Sequence, residues 1–247
     1  MLLKINCEGK GEFEYTPKGI GIYWENEGTG PSHYFQGLGL SLWLELRGIP
    51  CIHANCLAMG DKAFGIIAPS QTGKTTLTAA LLESGLQVMT DDMLALHQRP
   101  DGWIAYPGWP QLRMWPDVAS QYTYGNTEKL DKVHHRFDKL VLNLKKSESF
   151  KVCKSHKPLR QLFLLERMDE ISDEVYIQDI TPRDALIHLL QNSILGDAYQ
   201  ALGIEQARIK RLAALLSRIS LKKIRYSSGF EYLPKVCARI HAELKME

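Results

Sequence analysis

The sequence predicts an α/β fold of the P-loop kind, and two stretches predict it. The first is Phe64 to Leu77, an apolar run, then a loop, then the start of a helical pattern. The second follows that helix: Leu86-Gln87-Val88-Met89-Thr90-Asp91-Asp92 is a short apolar strand ending in two carboxylates. Parallel strands of an α/β sheet deliver their C-terminal ends to one edge, so the carboxylates are expected beside the loop.

The residue types of the loop explain its chemistry. A buried strand leads into a turn whose amide groups face inward, and the next helix aims its partly positive N-terminus at the same hollow. Ser70, Gln71, Thr72, Gly73, Lys74, Thr75 and Thr76 form the loop and the first helical turn. Gly73 permits close approach of a phosphate, Lys74 can reach β- and γ-phosphates, and the Thr75 hydroxyl can ligate Mg²⁺. The pattern departs from G-x-x-x-x-G-K-[ST] at Ala68, which stands where the first glycine is expected. Adjacent residues of a strand face opposite ways, so one of Asp91 and Asp92 could serve a metal and the other a nucleophile.

Composition bounds the function. The 247 residues suit one large domain or a domain with a small lobe, and 45% hydrophobic with 23% charged residues is ordinary for a globular chain. A net charge of +2 gives no broad footprint for nucleic acid, and no basic run suggests an anionic membrane. The N-terminus turns polar too early for a signal peptide and no stretch is apolar enough to span a bilayer, so a cytoplasmic protein is expected. Five scattered cysteines make no disulfide framework. In Cys51-Ile52-His53-Ala54-Asn55-Cys56 a metal site would lack a fourth ligand, and structural cysteines are the expectation.

Taken in order, residues 1–32 read as a small antiparallel lobe or sheet extension, with strands at Leu2 to Asn6, Glu12 to Tyr15 and Gly19 to Trp24. The alternation in Glu12-Phe13-Glu14-Tyr15 suggests a half-exposed edge. Residues 33–247 form the main domain. Tyr34 to Arg47 is a helix by the spacing of Phe35, Leu38, Leu42 and Leu46, with Gly48-Ile49-Pro50 as its stop. Cys51 to Met59 and Lys62 to Ala68 make a hairpin across Gly60-Asp61, with His53 on its first strand. A second hairpin turns at Asp101-Gly102. Prolines in Tyr106 to Asp117 predict a stiff loop displaying Trp109, Trp115 and Arg113, either as a wall of a nucleotide site with Arg113 on phosphate or as a plug at the core edge. Residues 124–158, Lys139 among them, are locally basic, and most are expected to be solvated, with an unspecified subset able to attract an acidic peptide or ATP. Strands follow at Leu159 to Glu166 and Glu174 to Ile180, then a helix capped by Thr181-Pro182. Helices from about 205 to 219 and 231 to 245, with a strand at Lys222 to Tyr226 between them, read as support rather than chemistry.

The ordered set His53, Ser70-Gln71-Thr72-Gly73-Lys74-Thr75 and Thr90-Asp91-Asp92 resembles the catalytic domain of HPr serine kinase/phosphorylase. More of the chain looks like the shorter HPr-kinase-related proteins of peptide-modification clusters, including lasso-peptide tailoring kinases. That likeness is carried by Ile52-His53-Ala54, Tyr106 to Asp117, Thr181 to Leu186, Ile224-Arg225-Tyr226 and Leu233-Pro234. The resemblance implies the mixed sheet with flanking helices shared with PEP carboxykinase-like proteins. It departs at Ala68 and Gln71, where the family favours glycine.

What the resemblance implies is a kinase using ATP and Mg²⁺. Loop amides and Lys74 would hold the phosphates, with Mg²⁺ on Thr75 and Asp91. Asp92 would be the general base toward a serine of a peptide or small protein, and His53 would tune it. The pair leaves open which carboxylate does which. A nucleotide-hydrolysing switch and a non-catalytic nucleotide-binding module use the same loop and stay as alternatives. A homo-oligomer is also left open.

Overall fold

The chain begins with β1 (Leu2–Ile5), β2 (Gly11–Thr16) and β3 (Gly19–Trp24), paired antiparallel in that order. β2 is therefore the middle strand and not an edge. Its alternation reflects a two-sided ribbon: Phe13 and Tyr15 turn into a small core with Tyr34 and Leu42, and Glu14 faces water. This structure is a computed structural model describing residues 1–6, 10–25, 29–123, 125–146, 150–196 and 198–246. Cys7 and Tyr124 lie outside the described residues.

The predicted helix forms as α1 (Pro31–Tyr34), a π-helical turn (Phe35–Gly39) and α2 (Leu40–Glu45). Two glycines in that middle turn weaken ordinary helical geometry, and π-turns of this kind recur at functional sites. Leu46 falls beyond α2 and is 38% exposed, so it leaves the apolar stripe.

Next come β4 (Cys51–Ile52), β5 (Ala54–Met59), β6 (Lys62–Ile67), α3 (Lys74–Glu83), β7 (Gln87–Thr90), β8 (Leu94–Arg99) and β9 (Gly102–Ala105). The run expected as one strand from Cys51 to Met59 is broken at His53. β4 pairs with β8, whereas β5 pairs with β6 and β7, so the chain must bend where it changes partners. The β8–β9 hairpin closes with Arg99 opposite Gly102, which makes Pro100-Asp101 the turn rather than Asp101-Gly102.

The stretch expected as a stiff loop contains β10 (Gln111–Met114) and α4 (Pro116–Tyr122). Pro107 and Pro110 keep only the entry irregular. Pro116 opens α4, where a missing N–H costs nothing. β11 (Asp131–His134), β12 (Phe137–Asn143) and β13 (Lys151–Val152) order much of the basic stretch. The rest is β14 (Lys157–Met168), β15 (Tyr176–Asp179), α5 (Pro182–Gln191), α6 (Ala198–Ala201), α7 (Glu205–Leu216), β16 (Ser220–Ser227) and α8 (Leu233–Met246). Thr181 caps α5 by accepting from the Asp184 N–H, as its sequence predicts.

In the main sheet β7, β5, β6, β14 and β16 are neighbours in that order. β7, β6, β14 and β16 run one way and β5 runs against them. Successive residues of β14 feed two cores: Phe163 and Leu165 meet α3 and α8, and Leu162 and Leu164 meet α5 and α7. A strand buried on both faces reads as a continuous apolar run, which is how Leu162-Phe163-Leu164-Leu165 reads. The result is the expected α/β architecture, a mixed sheet with flanking helices. Among the described residues no helix is long and apolar enough to cross a membrane.

One buried ion pair ties the N-terminal helix to this body. Arg208 Nε of α7 lies 2.9 Å from Glu45 Oε1, each side chain 2% exposed. Glu45 also accepts from the Cys51 N–H, and Arg208 donates to the Cys51 carbonyl. Breaking one side of such a pair leaves a buried charge uncompensated, at about 3–5 kcal/mol. Glu45→Ala should therefore lower the thermal midpoint by roughly 10 °C. A scanning-calorimetry midpoint equal to wild type would show that the pair does not hold α2 to α7.

Candidate active site

The strand directions bring five segments to one edge of the sheet. The loop 68–73 follows β6, Asp91-Asp92 follow β7, Arg167 sits at the end of β14, and Ser228-Gly229-Phe230 follow β16. β5 runs the other way, so its first residues and His53 before it reach the same edge between the ends of β7 and β6. These segments surround a cavity of about 550 Å³. Strand ends at such an edge are where α/β folds bind ligands.

The loop is concave because two of its residues take left-handed backbone angles, Gln71 at φ 64° and Gly73 at φ 92°. Gln71 thus keeps a conformation that glycine adopts without strain. At Gly73 the angle itself favours glycine, and a Cβ there would lie 2.1 Å from Arg167 Nη2 and displace that guanidinium. Ala68 is buried at the strand exit, where its methyl packs into the core. The Thr72 hydroxyl donates to the Pro69 carbonyl, and Arg167 Nε donates to the Thr72 carbonyl.

Asp92 is the centre of charge. Its Oδ1 lies 3.5 Å from Lys74 Nζ and 3.7 Å from His53 Nε2, and its Oδ2 lies 3.3 Å from Arg113 Nη1. Its backbone takes φ 66°, and its N–H donates to Asn55 Oδ1. Asn55 is fully buried and donates to Thr78 Oγ1, which donates in turn to the Lys74 carbonyl. One β5 side chain therefore sets both the Asp92 turn and the first turn of α3. Burial pushes the Asp92 carboxyl up, but Lys74, His53, Lys139 and Arg113 outweigh it and hold the group down at about 2. Asp92 is an anion at neutral pH. Desolvation, then the Lys74 charge, lowers His53 to about 4 despite the partly attractive Asp92. The ring is 46% exposed, so the surrounding cations are the durable part of that shift and keep the imidazole neutral. Burial also lowers Lys74, against the pull of Asp92 and Asp91.

Asp91 behaves differently. Both aspartates lie beyond the end of β7, in a bend, so the strand alternation expected of them does not apply. Asp91 Oδ2 accepts from the Arg113 N–H at 2.7 Å, and its Oδ1 is buried without a hydrogen-bond partner. Desolvation and the neighbouring Asp92 raise it to about 7. Arg113, expected on phosphate, spends its guanidinium on Asp92 and on Gln36 Oε1 of the π-helical turn.

Of the residues singled out in the sequence, His53, Ser70, Gln71, Gly73, Lys74, Thr75, Thr76 and Asp92 line the cavity, and Thr72, Asp91 and Arg113 stand behind its wall. Trp115 is wall, whereas Trp109 packs edge-on against Phe35. Sequence reasoning did not single out Lys139, Arg167, Asn55 or the segment 228–230. For Arg167 and 228–230 a signal existed, because each ends a strand parallel to β6. The C-terminal third is thus part of the site and not support alone.

No protein-family model matches the chain, and no curated protein matches it. Among solved structures, the Hpr(Ser) kinase/phosphatase from Coxiella burnetii is similar over 79% of this chain and 92% of that chain, with a TM-score of 0.43 and 14% identity.

A carboxyl group whose acid form the fold favours stabilises the folded state below its unfolded range, and that contribution is lost as pH rises through about 7. Asp91→Asn keeps an acceptor for the Arg113 N–H without the charge. Urea unfolding should therefore show wild type losing stability relative to this variant between pH 5 and 8. Parallel curves across that range would mean that Asp91 is not held in its acid form.

Proposed function

We propose that this protein is a kinase that transfers the γ-phosphate of ATP to a serine hydroxyl of a peptide or small protein. The observation that carries the reading is that Asp92, an anion facing the cavity, lies 3.5 Å from Lys74 at the head of the loop helix. A phosphate held by the loop would thus lie beside a carboxylate able to orient an incoming hydroxyl and take its proton.

The cavity fits a polyphosphate. Lys74, Lys139 and Arg167 line it, Gly73 lets the Arg167 guanidinium close against the loop, and α3 points its N-terminus there. Thr75 and Asp92 share that cavity, which fits a Mg²⁺ ion held largely by phosphate oxygens and water. Thr75 is the residue that would hold the ion, with Asp92 beside it, and the ion would supply charge neutralisation on the phosphates. Asp91, expected as the metal ligand, is assigned instead to holding the Arg113 strand. Neutral His53 leaves Asp92 free of a competing proton and helps fix its orientation. Catalysis is then alignment and electrostatic stabilisation of the transferring group. The choice of a peptide serine, such as one in a precursor peptide of a modification cluster, is supported by the sequence resemblance alone.

The test is transfer of labelled γ-phosphate to a panel of serine-bearing peptides with Mg²⁺. Asp92→Asn should lower kcat by about 10²–10⁴ while ATP still binds, the range for losing a general base. Lys74→Ala should weaken ATP binding as well as transfer. ADP formation without peptide labelling would replace the kinase with a hydrolytic switch, and binding without turnover would replace it with a nucleotide-binding module.

A further inference from the structure

Resting on the nucleotide reading above, the site has two chemically distinct ends. Along the sheet edge the order of segments is Asp92 after β7, His53 before β5, the loop after β6, Arg167 on β14, and Phe230 after β16. At ~4.8 Å per strand, Asp92 and Phe230 are separated by four strand positions, roughly 19 Å. The Asp92 end is charged. The far end presents Phe230, 41% exposed and lining the cavity, beside Ser228 and Gly229.

Phe230 is held there by its surroundings. Leu233 is buried and Tyr232 packs on the core, so the 3₁₀ turn Phe230–Tyr232 is anchored by its other end while Phe230 stays in the cavity wall. Arg167 joins this end to the loop: its guanidinium stacks 4.2 Å from the Tyr226 ring, and it donates to the carbonyls of Thr72 and Ser227. Trp115, the other large aromatic in the wall, sits two residues from Arg113 with the Lys139 ammonium 5.9 Å from its ring, at the charged end.

We infer that Phe230 is the platform on which the nucleobase stacks, so that the nucleotide lies along the sheet edge with its base at β16 and its terminal phosphate at Asp92. Flat aromatic faces hold bases with little regard to sequence, and Ser228 is the polar group positioned to meet a base edge.

Calorimetric titration with Mg²⁺, using ATP and inorganic tripolyphosphate on the same preparations, tests this. Wild type should bind ATP more tightly than tripolyphosphate. Phe230→Ala should weaken ATP by about 5- to 100-fold, the effect of losing one base–aromatic stack, and leave tripolyphosphate unchanged, with Phe230→Trp restoring ATP. Unchanged ATP affinity in Phe230→Ala, or equal weakening of both ligands, overturns the platform while the phosphate site stands. Wild type that binds neither ligand overturns the nucleotide reading and the platform with it.

Discussion

A carboxylate withdrawn from water needs cations around it, and Asp92 draws them from separate parts of the chain. Lys74 comes from the head of α3 and Arg113 from β10, and the neutral His53 ring joins them from the break between β4 and β5. The amide of Asp92 is held by Asn55 of β5, and the whole turn depends on a left-handed backbone angle. Such an angle on a residue other than glycine costs about 1–3 kcal/mol and persists only where neighbours over-determine it. The strand order of the central sheet satisfies that demand, because antiparallel β5 brings its first residues back between the ends of β7 and β6.

The same demand explains why Asp91 and Asp92, adjacent in sequence, differ in acidity. Asp92 has four cationic or polar neighbours and stays ionised. Asp91 accepts from one amide, and its burial and the Asp92 charge outweigh the pull of Lys74 and Arg113. Arg113 connects the two, its backbone to one and its guanidinium to the other. Gln36 accepts from Arg113 and from Gln111, so the π-helical turn near the N-terminus also bears on the orientation of Asp92. A site that works by alignment benefits from being fixed at so many points.

The strand–loop–helix unit, the carboxylates near the loop and the longer strands and helices around them were legible in the sequence, because each depends on local pattern or on strand direction. Thr181-Pro182 fixed a helix start by capping alone. The break at His53 was not legible, since no Gly or Pro interrupts Cys51 to Met59 and only the change of partner strands bends the chain. β10 was hidden by flanking prolines that constrain its neighbours and not its own four residues. Lys139 looked like every other lysine of a basic stretch, and only the pairing of β12 with β10, which ends at Leu140 opposite Met114, brings the adjacent Lys139 to the cavity. Asn55 carried no signal in an apolar run, yet it links Asp92 to α3.

If the protein is a kinase, a phosphate chain on the loop ends beside Asp92. A crystal structure with Mg²⁺ and a non-hydrolysable ATP analogue tests it most directly. The phosphates should lie against the amides of Gly73 to Thr76, with Lys74 on the terminal phosphate and Asp92 on the cavity side of that phosphate with room for a hydroxyl between them. A nucleotide bound away from the loop, or one whose terminal phosphate points from Asp92 toward β16, would contradict it.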